Sequence, residues 1–81
     1  MGTTNNLELY YRNFCPYSRK VLDYMEEHGI TIATHCLQQE ADAEQKLIEL
    51  GGKAQVPCLI IDGQPLYESD DIIAYLAANV A

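Results

Sequence analysis

Positive charge is what this chain has least of: five Lys and Arg stand against twelve Asp and Glu, for a formal charge of −7. Nucleic acids and anionic membranes are held largely by cations, so neither is expected as a partner. Long apolar runs are missing as well. No stretch of about 18 apolar residues occurs, and no membrane-spanning helix is expected. The opening Met1-Gly2-Thr3-Thr4-Asn5-Asn6 has neither the charged start nor the apolar centre of a secretory signal. Residues 1–6 read as a flexible N-terminus and the protein as cytoplasmic. The 81 residues suit one compact domain, 1–81, and leave no room for a second. Three cysteines, an odd number at scattered spacings, do not make a disulfide framework and read as reduced thiols. Neither His28 nor His35 has a carboxylate or cysteine at ligand spacing, so no metal is assigned. Repeats, linkers and low-complexity segments are absent.

What is present alternates between strand and helix patterns. Leu7-Glu8-Leu9-Tyr10-Tyr11 is rich in strand formers and ends before the breaker Asn13. From Pro16 the apolar residues Tyr17, Val21, Leu22 and Met25 recur at helical spacing until His28-Gly29, where the glycine supplies a stop. Thr31 to Leu37 reads as a second strand, and a strand–helix–strand unit of this length implies a right-handed crossover and a parallel pair. Glu40 to Leu50, with Ala43, Leu47 and Leu50 on one face, reads as a second helix ended by Gly51-Gly52. Val56 to Ile61 is an apolar run, Asp62-Gly63 a hairpin turn, and Gln64 to Tyr67 a returning strand. Pro65 cannot donate a ladder hydrogen bond, which puts that strand at the sheet edge. Ser69 is expected to cap a last helix whose Ile72, Ile73, Leu76 and Val80 face the sheet.

The chemistry gathers at Arg12-Asn13-Phe14-Cys15-Pro16-Tyr17-Ser18-Arg19-Lys20. A thiol at the first turn of a helix faces unpaired backbone N–H groups and the positive end of the helix dipole, both of which favour thiolate. Pro16 suits the first helical position, where no N–H is needed. Three of the five basic residues surround this cysteine in sequence. Cys15 is therefore the expected nucleophile, activated by placement rather than by a general base. Cys36 and Cys58 fall in strand runs and read as core residues.

The order β-α-β-α-β-β-α with Cys15-Pro16-Tyr17-Ser18 after the first strand resembles the glutaredoxins and, more broadly, the thioredoxin-like fold: an α/β protein with a four-stranded mixed sheet flanked by three helices. Val56-Pro57 stands where that family has its cis-proline loop, and Glu68-Ser69-Asp70-Asp71 where its last helix begins. The last two features are also similar to the N-terminal domain of glutathione S-transferases, whose second, helical domain has no counterpart in these 81 residues.

The resemblance implies a glutathione site and a glutathione co-substrate. It implies that Val56 pairs with the cysteinyl backbone of glutathione beside a cis Pro57. Ser69 and Asp70, next to Glu68, would hold the γ-glutamyl end, its carboxylate through backbone N–H groups and the serine hydroxyl and its ammonium through Asp70. Arg12 would draw the glycyl carboxylate, replacing the family's usual lysine, and Tyr17 would wall the groove. Lys53 and Gln55 precede Val56 within reach of the same ligand. Ser18 replaces the second cysteine of dithiol relatives, which leaves a monothiol route acting on glutathionylated proteins or small mixed disulfides. The protein is expected to be a monomer. Two other classes stay open: a glutathione transferase-like domain, and a module in which Cys15 and glutathione ligate an iron–sulfur cluster across a dimer. Against the latter, Pro16 stands where cluster-binding relatives typically have glycine.

Overall fold

A computed structural model of the chain describes residues 7–80, so the flexible stretch expected at 1–6 lies outside the described residues. Strand β1 (Leu7–Tyr11) leads into helix α1 (Pro16–Glu27), then β2 (Ala33–Cys36), α2 (Ala43–Gly51), β3 (Cys58–Ile61), β4 (Gln64–Leu66) and α3 (Ser69–Asn79). The sheet runs β2-β1-β3-β4. Strand β1 lies parallel to β2 and antiparallel to β3, and β3 lies antiparallel to β4. Pro65 is thereby on an edge strand, where its missing N–H costs the ladder nothing.

Both faces of the sheet are covered, which explains why β3 reads as a continuous apolar run rather than an alternating one. Leu9 and Leu59, paired in register, point to one face and pack with Val21 and Met25 of α1, Ile30, and Ile72 and Leu76 of α3. Tyr10 and Cys58, the next pair, point to the other face and pack with Ile60 and with Ala43 and Leu47 of α2. A one-residue slip of β3 would exchange the two cores, so the register is held by burial on both sides. Leu59 has no exposed surface. Leu59→Ala should cost about 2–5 kcal/mol of stability, read as a lower urea midpoint.

Turn chemistry follows the sequence closely. His28 closes α1, Gly29 takes φ 65°, and Gly29 and Ile30 N–H groups bond back to Glu26 O at 3.3 Å and Met25 O at 2.9 Å. This is a Schellman motif, completed by burial of Ile30 in the first core. Asp62 and Gly63 both have positive φ, 49° and 85°, as a two-residue hairpin turn of type I′ requires.

Several expectations are corrected at element ends. Strand β2 spans Ala33–Cys36 rather than 31–37, α2 begins at Ala43 rather than Glu40, and β3 begins after Pro57. Leu50 and Val80, expected to face inward, are exposed, because the buried stripes of their helices run through Ala43 and Leu47, and through Ile72 and Leu76. Gly51 is the last residue of α2, and the left-handed stop falls on Gly52 at φ 87°. Ser69 is the first residue of α3 and does not cap it: Glu68 occupies the N-cap with φ 74°, and no side chain there bonds the helix.

Candidate active site

Cys15 is the N-cap of α1, in extended geometry (φ −103°, ψ 116°), with Pro16 the first helical residue. Its carbonyl accepts the first helical bond, from Arg19 N–H at 2.8 Å. The sulfur is part-exposed, whereas Cys36 and Cys58 are buried. Burial pushes the Cys15 thiol up, but the Ser18 hydroxyl, the Ser18 and Tyr17 N–H groups and the Arg12 charge together outweigh it, and the thiol is held below its ordinary value. For Cys58, by contrast, burial wins and the thiol is raised.

Ser18 is the part of this arrangement that a reading of residue types misses. It is completely buried. Its Oγ accepts from Arg12 N–H at 3.4 Å, and its hydroxyl favours the thiolate form of Cys15. One side chain thus joins the end of β1 to the nucleophile. Asn13 N–H donates to Gln38 Oε1 at 2.7 Å and anchors the same loop from the other side.

The three cations do not act on the sulfur together. Arg12 does, while its guanidinium also lies 3.9 Å from Glu44. Arg19 pairs with Asp23 at 3.0 Å, one helical turn along. Lys20 bonds Asp70 across to α3. The expectation of cations crowding the thiol is therefore reduced to one, because the other two reach carboxylates that the helix geometry and the fold bring closer.

Beside the nucleophile turn lies a cleft of about 300 Å³ lined by Tyr17, Gln55, Val56, Pro57, Glu68 and Ser69. Three separate segments meet here: the start of α1, the loop before β3 and the start of α3. The Val56–Pro57 peptide bond is cis. Tyr17, counted among the apolar residues of α1, is instead 64% exposed and stands as a wall of this cleft. Arg12 and Asp70 are not among the lining residues; each is engaged by a partner of opposite charge. Lys53 lies over the Tyr67 ring at 4.7 Å.

A second cavity, of about 580 Å³, is lined by Asn13, Phe14, Cys15, Pro16 and Arg19. Phe14 is 99% exposed and sits at φ 61°. A bulky residue in the left-handed region is uncommon, and the visible signal is the single Phe of the chain placed in a polar loop before the nucleophile.

Away from this turn, His35 lies between Glu40 Oε1 on Nδ1 (2.9 Å) and Glu8 Oε1 on Nε2 (3.0 Å) and stacks on Tyr10. The fold supplies carboxylates that chain spacing does not. The two lie on opposite ring nitrogens rather than converging on one point, and among the described residues no group of three or more metal-ligating side chains converges. Among them also, no helix is long and apolar enough to cross a membrane.

A βαβαββα order, a mixed sheet β2-β1-β3-β4 and a cysteine capping α1 beside a cis-proline loop define a thioredoxin-like protein. Residues 14–79 match the family model described as glutathione S-transferase, N-terminal domain, and the chain belongs to that family. It is also similar to glutaredoxin 3 of Escherichia coli (strain K12), with 26% identity over 69 residues, covering 85% of this chain and 83% of that protein. Among solved structures, glutathione transferase Omega 3C from Trametes versicolor superposes with a TM-score of 0.76 at 26% identity, over 94% of this chain and 32% of that one. A buckwheat glutaredoxin–glutathione complex superposes at 0.69 with 23% identity, over 91% and 70%. The chain thus spans about a third of the transferase and most of the glutaredoxin.

Proposed function

We propose that this chain, acting as one domain, is a glutathione-dependent thiol–disulfide oxidoreductase that reduces glutathione mixed disulfides through Cys15 alone. The observation that carries the reading is an acidified thiol at a helix N-terminus, next to a cleft whose walls suit a short peptide. The sheet register ends at Cys58, so the Val56 backbone lies beyond the ladder, where an extended ligand strand can pair with it. The first N–H groups of α3, at Ser69 and Asp70, suit a carboxylate. The similarity to a glutaredoxin and the likeness to one solved with glutathione support the choice of ligand.

The chemistry balances without another cofactor. The Cys15 thiolate attacks the glutathione sulfur of a mixed disulfide, forming Cys15–S–S–glutathione and breaking the substrate S–S bond. The departing thiolate takes a proton from water. A second glutathione, as thiolate, attacks the glutathione sulfur held on Cys15, releases oxidised glutathione and restores the Cys15 thiolate. Glutathionylated proteins or small mixed disulfides are the substrates, in the cytoplasm, with the protein a monomer. Incubation with oxidised glutathione should add one glutathione by intact mass, mapped to Cys15, that clears when free glutathione is added. Cys15→Ser should abolish both the adduct and turnover; an adduct on Cys36 or Cys58 would sink the mechanism.

The family match favours a second reading, in which bound glutathione itself attacks an electrophile and Cys15 is not the nucleophile. The two part on one variant: conjugation of a chloronitrobenzene would survive Cys15→Ser, and disulfide turnover would not.

A further inference from the structure

Gly51 ends α2 without a positive φ, so no backbone requirement explains it. Alanine would be the more stable choice at a helical position. Space explains the glycine instead: a Cβ here would overlap Tyr67 Oη and stand 3.2 Å from Tyr67 Cζ and 3.4 Å from Pro65 Cβ. Tyr67 in turn is held in place. Its hydroxyl donates to Lys53 O at 3.4 Å, Lys53 Nζ lies 4.7 Å over its ring, and the side chain packs on the core that Val56 also covers. The next residue, Glu68, takes φ 74° without being glycine, a conformation that persists only where its surroundings hold it. Tyr67 before it and Ser69 after it, 7% exposed, do so. Glu68 and Ser69 form one wall of the cleft, and Gln55, Val56 and Pro57 another. Tyr67 therefore joins both walls while lining neither: it precedes Glu68 in the chain and bonds the loop at Lys53, just before Gln55.

We infer that Tyr67 is a positioning residue that sets the spacing of these two cleft walls, and that Gly51 is the gap in α2 that admits its hydroxyl. Helix α2, none of whose residues lines the cleft, is thereby coupled to ligand affinity. Lys53 belongs to this joint, since its carbonyl and its ammonium both meet Tyr67. Only the choice of a glutathione probe rests on the function proposed above.

The test is Gly51→Ala, made in the unaltered chain and in the Tyr67→Phe background, where the oxygen that the new Cβ meets is gone. Without ligand, backbone amide NMR should show Gly51→Ala shifting Gln55, Val56, Glu68 and Ser69 while Cys15 stays in place; in the Tyr67→Phe background the same substitution should leave all of them nearly still. Calorimetric titration with S-methylglutathione should show Gly51→Ala binding about tenfold more weakly, because misplaced walls no longer fit the ligand. Tyr67→Phe alone should cost about two- to fivefold, the size of one weak hydrogen bond. In that background Gly51→Ala should change affinity less than about twofold, the limit for uncoupled sites. Tyr67→Leu, which leaves Gly51 untouched, should also weaken binding about tenfold. In turnover, KM for glutathione should rise in Gly51→Ala while kcat and the pH profile of Cys15 alkylation stay unchanged. A glycine needed only by α2 would instead lower the urea midpoint in both backgrounds and leave the affinity of the folded protein alone. The inference is overturned by that result, by equal weakening in both backgrounds, by unchanged affinity in Tyr67→Leu, or by amide shifts confined to α2. If the unaltered chain does not bind S-methylglutathione, the glutathione reading falls, and the amide shifts still decide whether Tyr67 spaces the walls.

Discussion

Replacing Ser18 by alanine should push the reactivity of Cys15 to higher pH and slow its alkylation near pH 6 on the order of tenfold, the lower end of what a hydrogen bond to a charged group contributes. The lower end applies because the sulfur is part-exposed. The Ser18 hydroxyl stands first among the groups that lower this thiol, ahead of the backbone N–H groups of Ser18 and Tyr17 and the charge of Arg12, and together they overcome burial. The same variant leaves the part-buried Arg12 N–H without the oxygen it bonds at 3.4 Å, so some loss of stability accompanies the kinetic effect. Iodoacetamide labelling against pH, followed residue by residue by mass spectrometry, separates the two; an unchanged profile means that Ser18 does not stabilise the thiolate.

The sign for folding follows from the same shift. A thiol held below its unfolded value adds stability that is fully present above the unfolded thiol pKa, about 8.5, and is lost as pH falls through the folded pKa. The stability advantage of reduced protein over Cys15→Ser should therefore shrink between pH 8.5 and pH 5. Urea denaturation at the two pH values measures it, and a constant or growing advantage on acidification contradicts the shift.

Ser18→Cys should convert the monothiol route into a dithiol one. Position 18 is one turn along α1 from Cys15, and its hydroxyl is close enough to lower the thiol, so a thiol there is within disulfide reach. After incubation with oxidised glutathione, the variant should lose its adduct without added thiol: the new thiolate attacks the Cys15 sulfur, expels glutathione and closes an internal disulfide. The unaltered chain should keep its adduct until free glutathione arrives. Reduction of a protein disulfide should improve in the variant. Persistence of the adduct in Ser18→Cys at the same lifetime would mean that the two side chains do not approach during turnover.

The buried position of Ser18 marks the boundary between what residue order conveys and what it does not. Read as a missing thiol, Ser18 is only a lost resolving cysteine. Its complete burial, and its link from the end of β1 to the sulfur, arise because the loop 12–14 folds back onto the first turn of α1. Tyr17 is split in the same way: its helical spacing points inward, and the expectation that it walls the cleft comes from the family resemblance rather than from spacing.

The sequence alone determined the features that depend on near neighbours. Cys15-Pro16 places a thiol at a helix start, Gly29 ends α1 in a Schellman turn, Asp62-Gly63 makes the hairpin, and the two faces of Leu9 and Tyr10 follow from a period of two. Each is decided by backbone sterics or by alternation over a few residues, which the order of residues specifies directly. Only the tertiary structure decided which charges meet. Arg12 lies toward Glu44, His35 bridges Glu8 and Glu40, and Lys20 finds Asp70 fifty positions away. Long charged side chains pair with whatever opposite charge the packing of helices and strands brings within about 4 Å, and that apposition is a property of the assembled sheet and its three helices rather than of local spacing.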